Sequence, residues 1–135
     1  MSIDGDTYEV RLGADPSSPS KARDFVRFHL LAQGADHLVE DIRLVASELA
    51  TNAVRHVGSA FTVGLDVGDH NVRLWVWDSS PFAPTRVAGD PMGAGGRGLA
   101  LVEMLSSQWG VAVLDASKTV WATFEFDGPS VAALQ

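Results

Sequence analysis

The segment from about His37 to His56 places the strongest constraint on the fold of this 135-residue chain. Its apolar residues recur every three or four positions, which is the spacing of one face of an α-helix. These residues are Leu38, Ile42, Val45, Leu49, Ala53 and Val54. The pattern therefore predicts a long amphipathic helix.

The remaining patterns predict two more helices and a set of strands. A helix capped by Ser18 or Ser20 is predicted to run to about Gln33, and another to span about 98–107. Short runs of alternating or continuous apolar residues between turn signals are typical of strands. The predicted strands are 7–12, 60–67, 72–77, 110–114 and 119–126. The second and third of these flank a polar turn and predict a β-hairpin.

Residues 79–97 are rich in proline and glycine and have no periodic pattern. A long segment of this kind inside a compact domain is usually a functional lid or a disordered insertion. Its position directly after Asp78, at the end of a predicted strand, favours the lid.

Length and composition exclude several classes of protein. The length suits one domain with one core, and we expect a single domain over residues 1–135 with its core at about 7–126. The formal net charge of −7 argues against a general nucleic-acid surface. Cysteine is absent, which excludes disulfides, thiolate metal sites and cysteine nucleophiles. No stretch approaches the roughly 20 apolar residues of a membrane span, so we expect a soluble cytoplasmic protein.

The long helix carries the first candidate site residues, Glu48 and Asn52. Residues four apart lie on one helical face, so both side chains can converge on one ligand. A carboxylate can accept a proton or orient water, and an amide oxygen suits Mg²⁺. A solvated polar face is the alternative interpretation. His56 extends the same face as a minor candidate, although a histidine favoured by the helix dipole is the commoner explanation.

Two further features face the predicted lid. Asp78 closes the strand 72–77, where its carboxylate can accept a hydrogen bond from the exocyclic amine of a purine; a turn-starting aspartate is the alternative. The segment 93–98 has glycine at four positions and precedes a helix whose first amide groups favour anions. A phosphate can bind there, although mobile surface loops have the same composition.

Four phrases, in this order, resemble the Bergerat-type ATPases, the superfamily of gyrase and histidine-kinase ATP-binding domains. The phrases are ELATNAVRH at 48–56, VWDSSP at 76–81, GRGLALV at 96–102 and KTVW at 118–121. The resemblance covers about residues 20–126. It is greatest to the anti-sigma-factor serine/threonine kinases and related single-domain ATP-binding regulators of actinobacteria.

The resemblance implies an α+β two-layer sandwich, with a mixed, mostly antiparallel sheet, helices on one face, and ATP between the long helix and the lid. It implies that Asn52 coordinates Mg²⁺ and that Glu48 is the catalytic base. It also implies that Asp78 reads the adenine amine with support from Thr119. The phosphates would lie against lid and helix residues, which are Gly93, Gly95, Gly96, Arg97, Gly98 and Leu99.

The function implied is an ATP- and Mg²⁺-dependent serine/threonine protein kinase that acts as an anti-sigma factor. It would phosphorylate an anti-sigma-antagonist protein and sequester a sigma factor when the antagonist is absent, without direct contact with nucleic acid or membrane. The resemblance also leads us to expect a homodimer.

Two alternatives remain. Ala94 stands where kinase members can carry a basic residue, and the chain has no substrate domain. Both observations favour a catalytically inactive ATP-binding module that sequesters a protein partner without phosphoryl transfer. The other alternative is a small α+β domain that binds no nucleotide.

Overall fold

The structure is a computed structural model that describes residues 5–79 and 97–128. These residues form five strands and three α-helices. The elements are β1 (Asp6–Leu12), α1 (Ser18–Ala32), α2 (Val39–His56), β2 (Phe61–Val67), β3 (Asn71–Asp78), α3 (Arg97–Leu105), β4 (Gln108–Leu114) and β5 (Ser117–Glu125). A short 3₁₀ turn, Asp36–Leu38, precedes α2.

The strands form one open sheet in the order β1-β2-β3-β5-β4. Each described pairing between neighbouring strands is antiparallel. The chain leaves the sheet after β3, forms α3, enters the sheet edge as β4, and returns as β5 beside β3. The predicted α+β class, with a mostly antiparallel sheet, is confirmed.

One face of the sheet is covered by the helices. Side chains alternate between the two faces of a strand, and in β3 the buried positions are Val72, Leu74, Val76 and Asp78. The apolar members of this set belong to one core cluster with the inward residues of α1 and α2. Because that cluster lies on one side of the sheet, the intervening β3 residues Arg73, Trp75 and Trp77 lie on the opposite face. No helix among the described residues covers this face, which is called the uncovered face below.

The N-cap of helix α1 lies one residue before the first of the two predicted caps. The N-cap is Ser17, and its side chain makes no capping bond. Instead, the backbone N–H and the hydroxyl of Ser17 donate to Asp15 Oδ1 at 2.8 and 2.7 Å, and the hydroxyl of Ser18 donates to the carbonyl of Gly13. The prediction that Ser18 or Ser20 caps the helix is therefore wrong.

The end of α1 is a Schellman motif. The N–H of Ala35 donates to the carbonyl of Leu30 at 2.8 Å, and the N–H of Gly34 donates to the carbonyl of Leu31 at 3.1 Å. Gly34 has φ 74°, a left-handed conformation that glycine adopts without a steric penalty. Ala35 and Leu30 are both fully buried, which supplies the apolar contact that usually accompanies this motif.

The long helix predicted at about His37–His56 is confirmed as the 3₁₀ turn followed by α2. The residues that α2 buries are spaced by three or four, with Ala46 and Ala50 added next to Val45 and Leu49. They are Val39, Ile42, Val45, Ala46, Leu49, Ala50 and Ala53. In the part of the chain that the structure describes, no helix is long and apolar enough to cross a membrane.

On the uncovered face, tryptophan side chains lie over glycines of neighbouring strands. An added Cβ at Gly64 would lie 1.9 Å from Cε2 and Cζ2 of Trp75. At Gly110 it would lie 2.7 Å from Cζ2 of Trp121. The glycines of β2 and β4 therefore leave the space that the indole rings occupy.

We expect Gly64→Ala to lower the free energy of unfolding by about 1–3 kcal/mol, because the new methyl group must displace a rigid ring. Urea unfolding followed by tryptophan fluorescence measures the change. Gly13→Ala is the matched control, since a Cβ there meets no atom within 4 Å. Equal unfolding midpoints for the two variants would show that Trp75 moves aside without loss.

Candidate functional site

The first part of the candidate site is a polar strip along one side of α2. Glu48 and Asn52 are both half-buried and lie one turn apart. They border the buried face of the helix, because Leu49 and Ala53, the residues next to them in sequence, are core residues. His56 continues the strip as the last residue of α2 and is exposed.

The second part is a buried ion pair at the end of the central strands. Asp78, the last residue of β3, is 2% exposed, and Lys118 of β5 is 6% exposed. Their closest atoms, Lys118 Nζ and Asp78 Oδ2, are 3.7 Å apart. The two residues are direct partners in the β3–β5 register, so both side chains project from the helix-covered face. Burial of the carboxylate is acceptable because a cation lies beside it.

The topology brings the two parts to the same end of the molecule. Only residues 57–60 connect α2 to β2, and Thr62 near the start of β2 pairs with Trp77 near the end of β3. The C-terminal end of α2, one turn beyond Asn52, therefore lies at the sheet end that holds Asp78. Glu48 lies about 6 Å from Asn52 along the helix axis, toward the N-terminal end of α2.

Helix α3 adds a third element beside α2. Leu99 is 4% exposed and Val102 is fully buried, which anchors the helix in the core. The last turn of α3 is fixed at the other end of the sheet, because only two residues separate Leu105 from β4, and Gln108 at the start of β4 lies opposite Thr123. The first turn, which begins at Arg97, is the end remote from that connection.

Some predicted site residues fall outside what the structure describes. Residues 80–96 are not among the described residues, and this range contains the predicted lid with Gly93, Gly95 and Gly96. Arg97 and Gly98 belong to α3, but their side chains are likewise outside the description. Among the described residues, no group of three or more His, Cys, Asp or Glu side chains could hold a metal ion.

Thr119, which the resemblance implies as a support for Asp78, lies next to the direct strand partner of Asp78. It pairs with Trp77 in the β3–β5 register, one residue away from the Asp78–Lys118 pair. Because side chains alternate along a strand, its hydroxyl lies on the uncovered face while Asp78 lies on the covered face. The register therefore brings Lys118, and not Thr119, to the carboxylate.

Sequence reasoning did not single out Lys118 as a site residue. The available signal was a charged residue at an inward position on each of two neighbouring strands. Asp78 is the one on β3 and Lys118 is the one on β5, where the other inward residues are Val120, Ala122 and Phe124. A lysine in such a series needs a buried partner. Finding that partner requires the strand register, which local patterns do not give.

The fold and the site together define a class: a two-layer α+β domain with a carboxylate at the end of a central strand and a polar strip on the adjacent helix. A comparison with protein families identifies the family within this class. Residues 12–124 match the histidine kinase-like ATPase domain, and the chain belongs to this family.

A solved structure supports the same fold. It is described as the crystal structure of the RsbU and RsbW domains of Rv1364c from Mycobacterium tuberculosis, and it matches with a TM-score of 0.64 and 26% sequence identity. The match covers 93% of this chain and 34% of that one, so the chain spans about a third of the length of its structural relative. A comparison with curated proteins found no match.

Replacing Lys118 with methionine tests the buried pair. Removing one partner of a buried ion pair typically lowers the free energy of unfolding by about 3–5 kcal/mol, because the remaining buried charge loses its counter-charge. We expect a loss of this order in the free energy of unfolding at pH 7, measured by urea titration. Adding Asp78→Asn to Lys118→Met should recover part of the loss, since the amide carries no charge. Lys21→Met, at an exposed position of α1, is the control and should change stability by less than about 0.5 kcal/mol.

Proposed function

We propose that the chain is an ATP-binding regulatory serine/threonine protein kinase that acts as an anti-sigma factor in the cytoplasm. Its substrate would be an anti-sigma-antagonist protein, and it would hold a sigma factor when that antagonist is absent. Membership of the histidine kinase-like ATPase family supports ATP use, and the RsbW-containing structural relative supports the regulatory role. The observation that carries the proposal is the buried Asp78 carboxylate at the sheet end beside α2.

The site residues suit an adenine nucleotide in their chemistry. A carboxylate has about four acceptor positions, so Asp78 can pair with Lys118 and also accept a hydrogen from the adenine amine. Its burial excludes water, which strengthens both interactions. Thr119 lies next to this pair on β5 and would support Asp78 only indirectly, by fixing the position of the strand.

The opposite end of the nucleotide would lie along α2 and the start of α3. Asn52 would supply an amide oxygen to Mg²⁺, a cation that keeps most of its waters and phosphate oxygens and therefore needs few protein ligands. The first amide groups of α3, at Arg97, Gly98 and Leu99, would donate to phosphate oxygens, because those N–H groups have no partner within the helix. His56 would be a peripheral contact at the end of the same strip, and Gly93, Gly95 and Gly96 would bring further backbone amides.

Bound Mg-ATP supplies the phosphoryl group for the proposed reaction. Glu48 would accept the proton of the partner serine hydroxyl as the bond from that oxygen to the γ-phosphorus forms and the bond from the γ-phosphorus to the bridging oxygen of ADP breaks. Asn52 and the helix amides would hold the phosphate oxygens in line for that displacement. The products are a phosphoserine on the antagonist and ADP.

Transfer of labelled γ-phosphate to a purified cognate antagonist tests the proposal. Labelling of the antagonist serine, with ADP formed in equal amount, is the expected result. Tight Mg-ATP binding without labelling, in the presence of authentic partners, would instead establish the catalytically inactive module that Ala94 favours. Absence of nucleotide binding in calorimetry would reject both.

A further inference from the structure

Lys118 is the residue of the candidate site that the family resemblance does not explain. The resemblance implies Thr119 as the support for Asp78, but the strand register gives that place to Lys118, which is 6% exposed. Lysine is almost never buried to this degree without a special reason. Replacing a buried ion pair with well-packed apolar residues is often neutral or stabilising. The stability of the fold therefore does not by itself account for a lysine at this position.

The contact between Lys118 and Asp78 is an ion pair without a short hydrogen bond. The distance from Lys118 Nζ to Asp78 Oδ2 is 3.7 Å, whereas a direct bond from an ammonium to a carboxylate is about 2.7–2.9 Å long. An ammonium carries three N–H donors, and a carboxylate has about four acceptor positions. This contact therefore still allows both groups to bond to a third group that lies beside them.

Valine side chains border the ion pair on the helix-covered face. The next inward residues of β3 and β5 are Val76 and Val120, which are direct strand partners, and Val76 is 3% exposed. On the other side of β5, Val113 pairs with Lys118 and is 48% exposed. Such surroundings strengthen a hydrogen bond relative to water, and they also offer apolar contact to a flat aromatic ring.

We propose that Lys118 reads the nucleotide base directly, by donating a hydrogen bond to the ring nitrogen N1 of adenine. The proposal rests on the proposed function, in which Asp78 accepts a hydrogen from the adenine amine. In adenine the amine donor and the N1 acceptor are neighbours on one edge of the ring. Asp78 on β3 and Lys118 on β5 hold an acceptor and a donor side by side, which is the complementary pair. Lys118 is then a specificity residue of the base site.

A nucleotide that lacks N1 tests this bond on the unaltered protein. In 1-deaza-ATP a C–H group replaces N1, while the amine is retained. We expect the magnesium complex of 1-deaza-ATP to bind about 10- to 150-fold more weakly than Mg-ATP in calorimetry, the usual effect of losing a hydrogen bond to a charged group. 7-Deaza-ATP is the matched control, because N7 lies away from this edge, and it should bind like ATP. Equal affinity for ATP and 1-deaza-ATP overturns the proposal and leaves Lys118 as a counter-charge only.

Lys118→Met assigns the bond to this side chain. The variant has no donor for N1, so it should bind ATP and 1-deaza-ATP with nearly equal affinity. The ratio of the two affinities is the readout, because a general loss of binding lowers both values and cancels. Lys21→Met, at an exposed position of α1, should keep the wild-type ratio. A wild-type ratio in Lys118→Met overturns the assignment. The comparison of nucleotides on the wild-type chain remains decisive if Lys118→Met does not fold.

The outcomes separate this inference from the proposed function. Absence of Mg-ATP binding to the wild-type chain rejects the proposed function, and the role of Lys118 with it. Binding of Mg-ATP with no preference over 1-deaza-ATP rejects only the role of Lys118. Both measurements report affinity and require no protein substrate, so they are independent of phosphoryl transfer to the antagonist.

Discussion

Replacing Asp78 with asparagine is expected to weaken Mg-ATP binding by about 10- to 150-fold. The carboxylate would lose its charge-assisted hydrogen bond to the adenine amine, and such bonds are worth about 1.5–3 kcal/mol. The asparagine side chain has nearly the same shape, so the change isolates charge and hydrogen-bond direction. Isothermal titration calorimetry measures the affinity.

The nucleotide base provides a second, sharper readout for Asp78. Guanine has a carbonyl oxygen where adenine has the amine, so the wild-type carboxylate should favour ATP over GTP. Asp78→Asn should reduce this preference, because an amide can donate to a carbonyl oxygen as well as accept from an amine. An equal loss of affinity for ATP and GTP would indicate a general structural defect and would contradict the proposed role.

A matched control separates this effect from unfolding. Asp66, on β2, is half-buried and pairs with Arg73 in the register, which places it on the uncovered face. Asp66→Asn makes the same chemical change on the other side of the sheet and should leave nucleotide affinity unchanged. Urea titration of both variants shows whether Asp78→Asn retains its fold despite its altered pairing with Lys118.

The helices could be predicted from the sequence because their information is local. The stripe from Ile42 to Ala53 repeats over several turns, and the backbone geometry alone fixes Glu48 and Asn52 on one face. The beginning of α1 was harder, because three serines lie within four residues. The N-cap is Ser17, whose N–H and hydroxyl donate to Asp15 and whose side chain makes no capping bond.

The strands could be predicted individually, but their order could not. β5 lies between β3 and β4, an arrangement that depends on contacts between residues about 50 positions apart. No periodic pattern contains that information. The register between β3 and β5 was needed to show that Asp78 pairs with Lys118. It was also needed to show that Thr119 points to the opposite face of the sheet. The positions of Glu48 and Asn52 on one helical face could therefore be predicted from the sequence, whereas the pairing of Asp78 with Lys118 could not.

Replacing Glu48 with glutamine is expected to lower phosphoryl transfer to the antagonist by about 10²–10⁴-fold, which is the usual contribution of a general base. Glutamine keeps the size of the side chain and its position on α2, but it cannot accept the serine proton. Mg-ATP affinity should change little, because Asn52, Asp78 and the α3 amides bind the nucleotide in the proposed site. Single-turnover transfer of labelled γ-phosphate measures the rate, and calorimetry measures the affinity.

Glu40→Gln provides the control for Glu48, since Glu40 lies on the same helix but is exposed in its first turn. It should transfer phosphate at the wild-type rate. Equal rates for wild type and Glu48→Gln would exclude Glu48 as the base while leaving a kinase, whereas a parallel loss of affinity and rate would make it a binding residue. A lower rate at unchanged affinity is the one result that assigns it to the chemical step, because a residue needed only for nucleotide binding would change both.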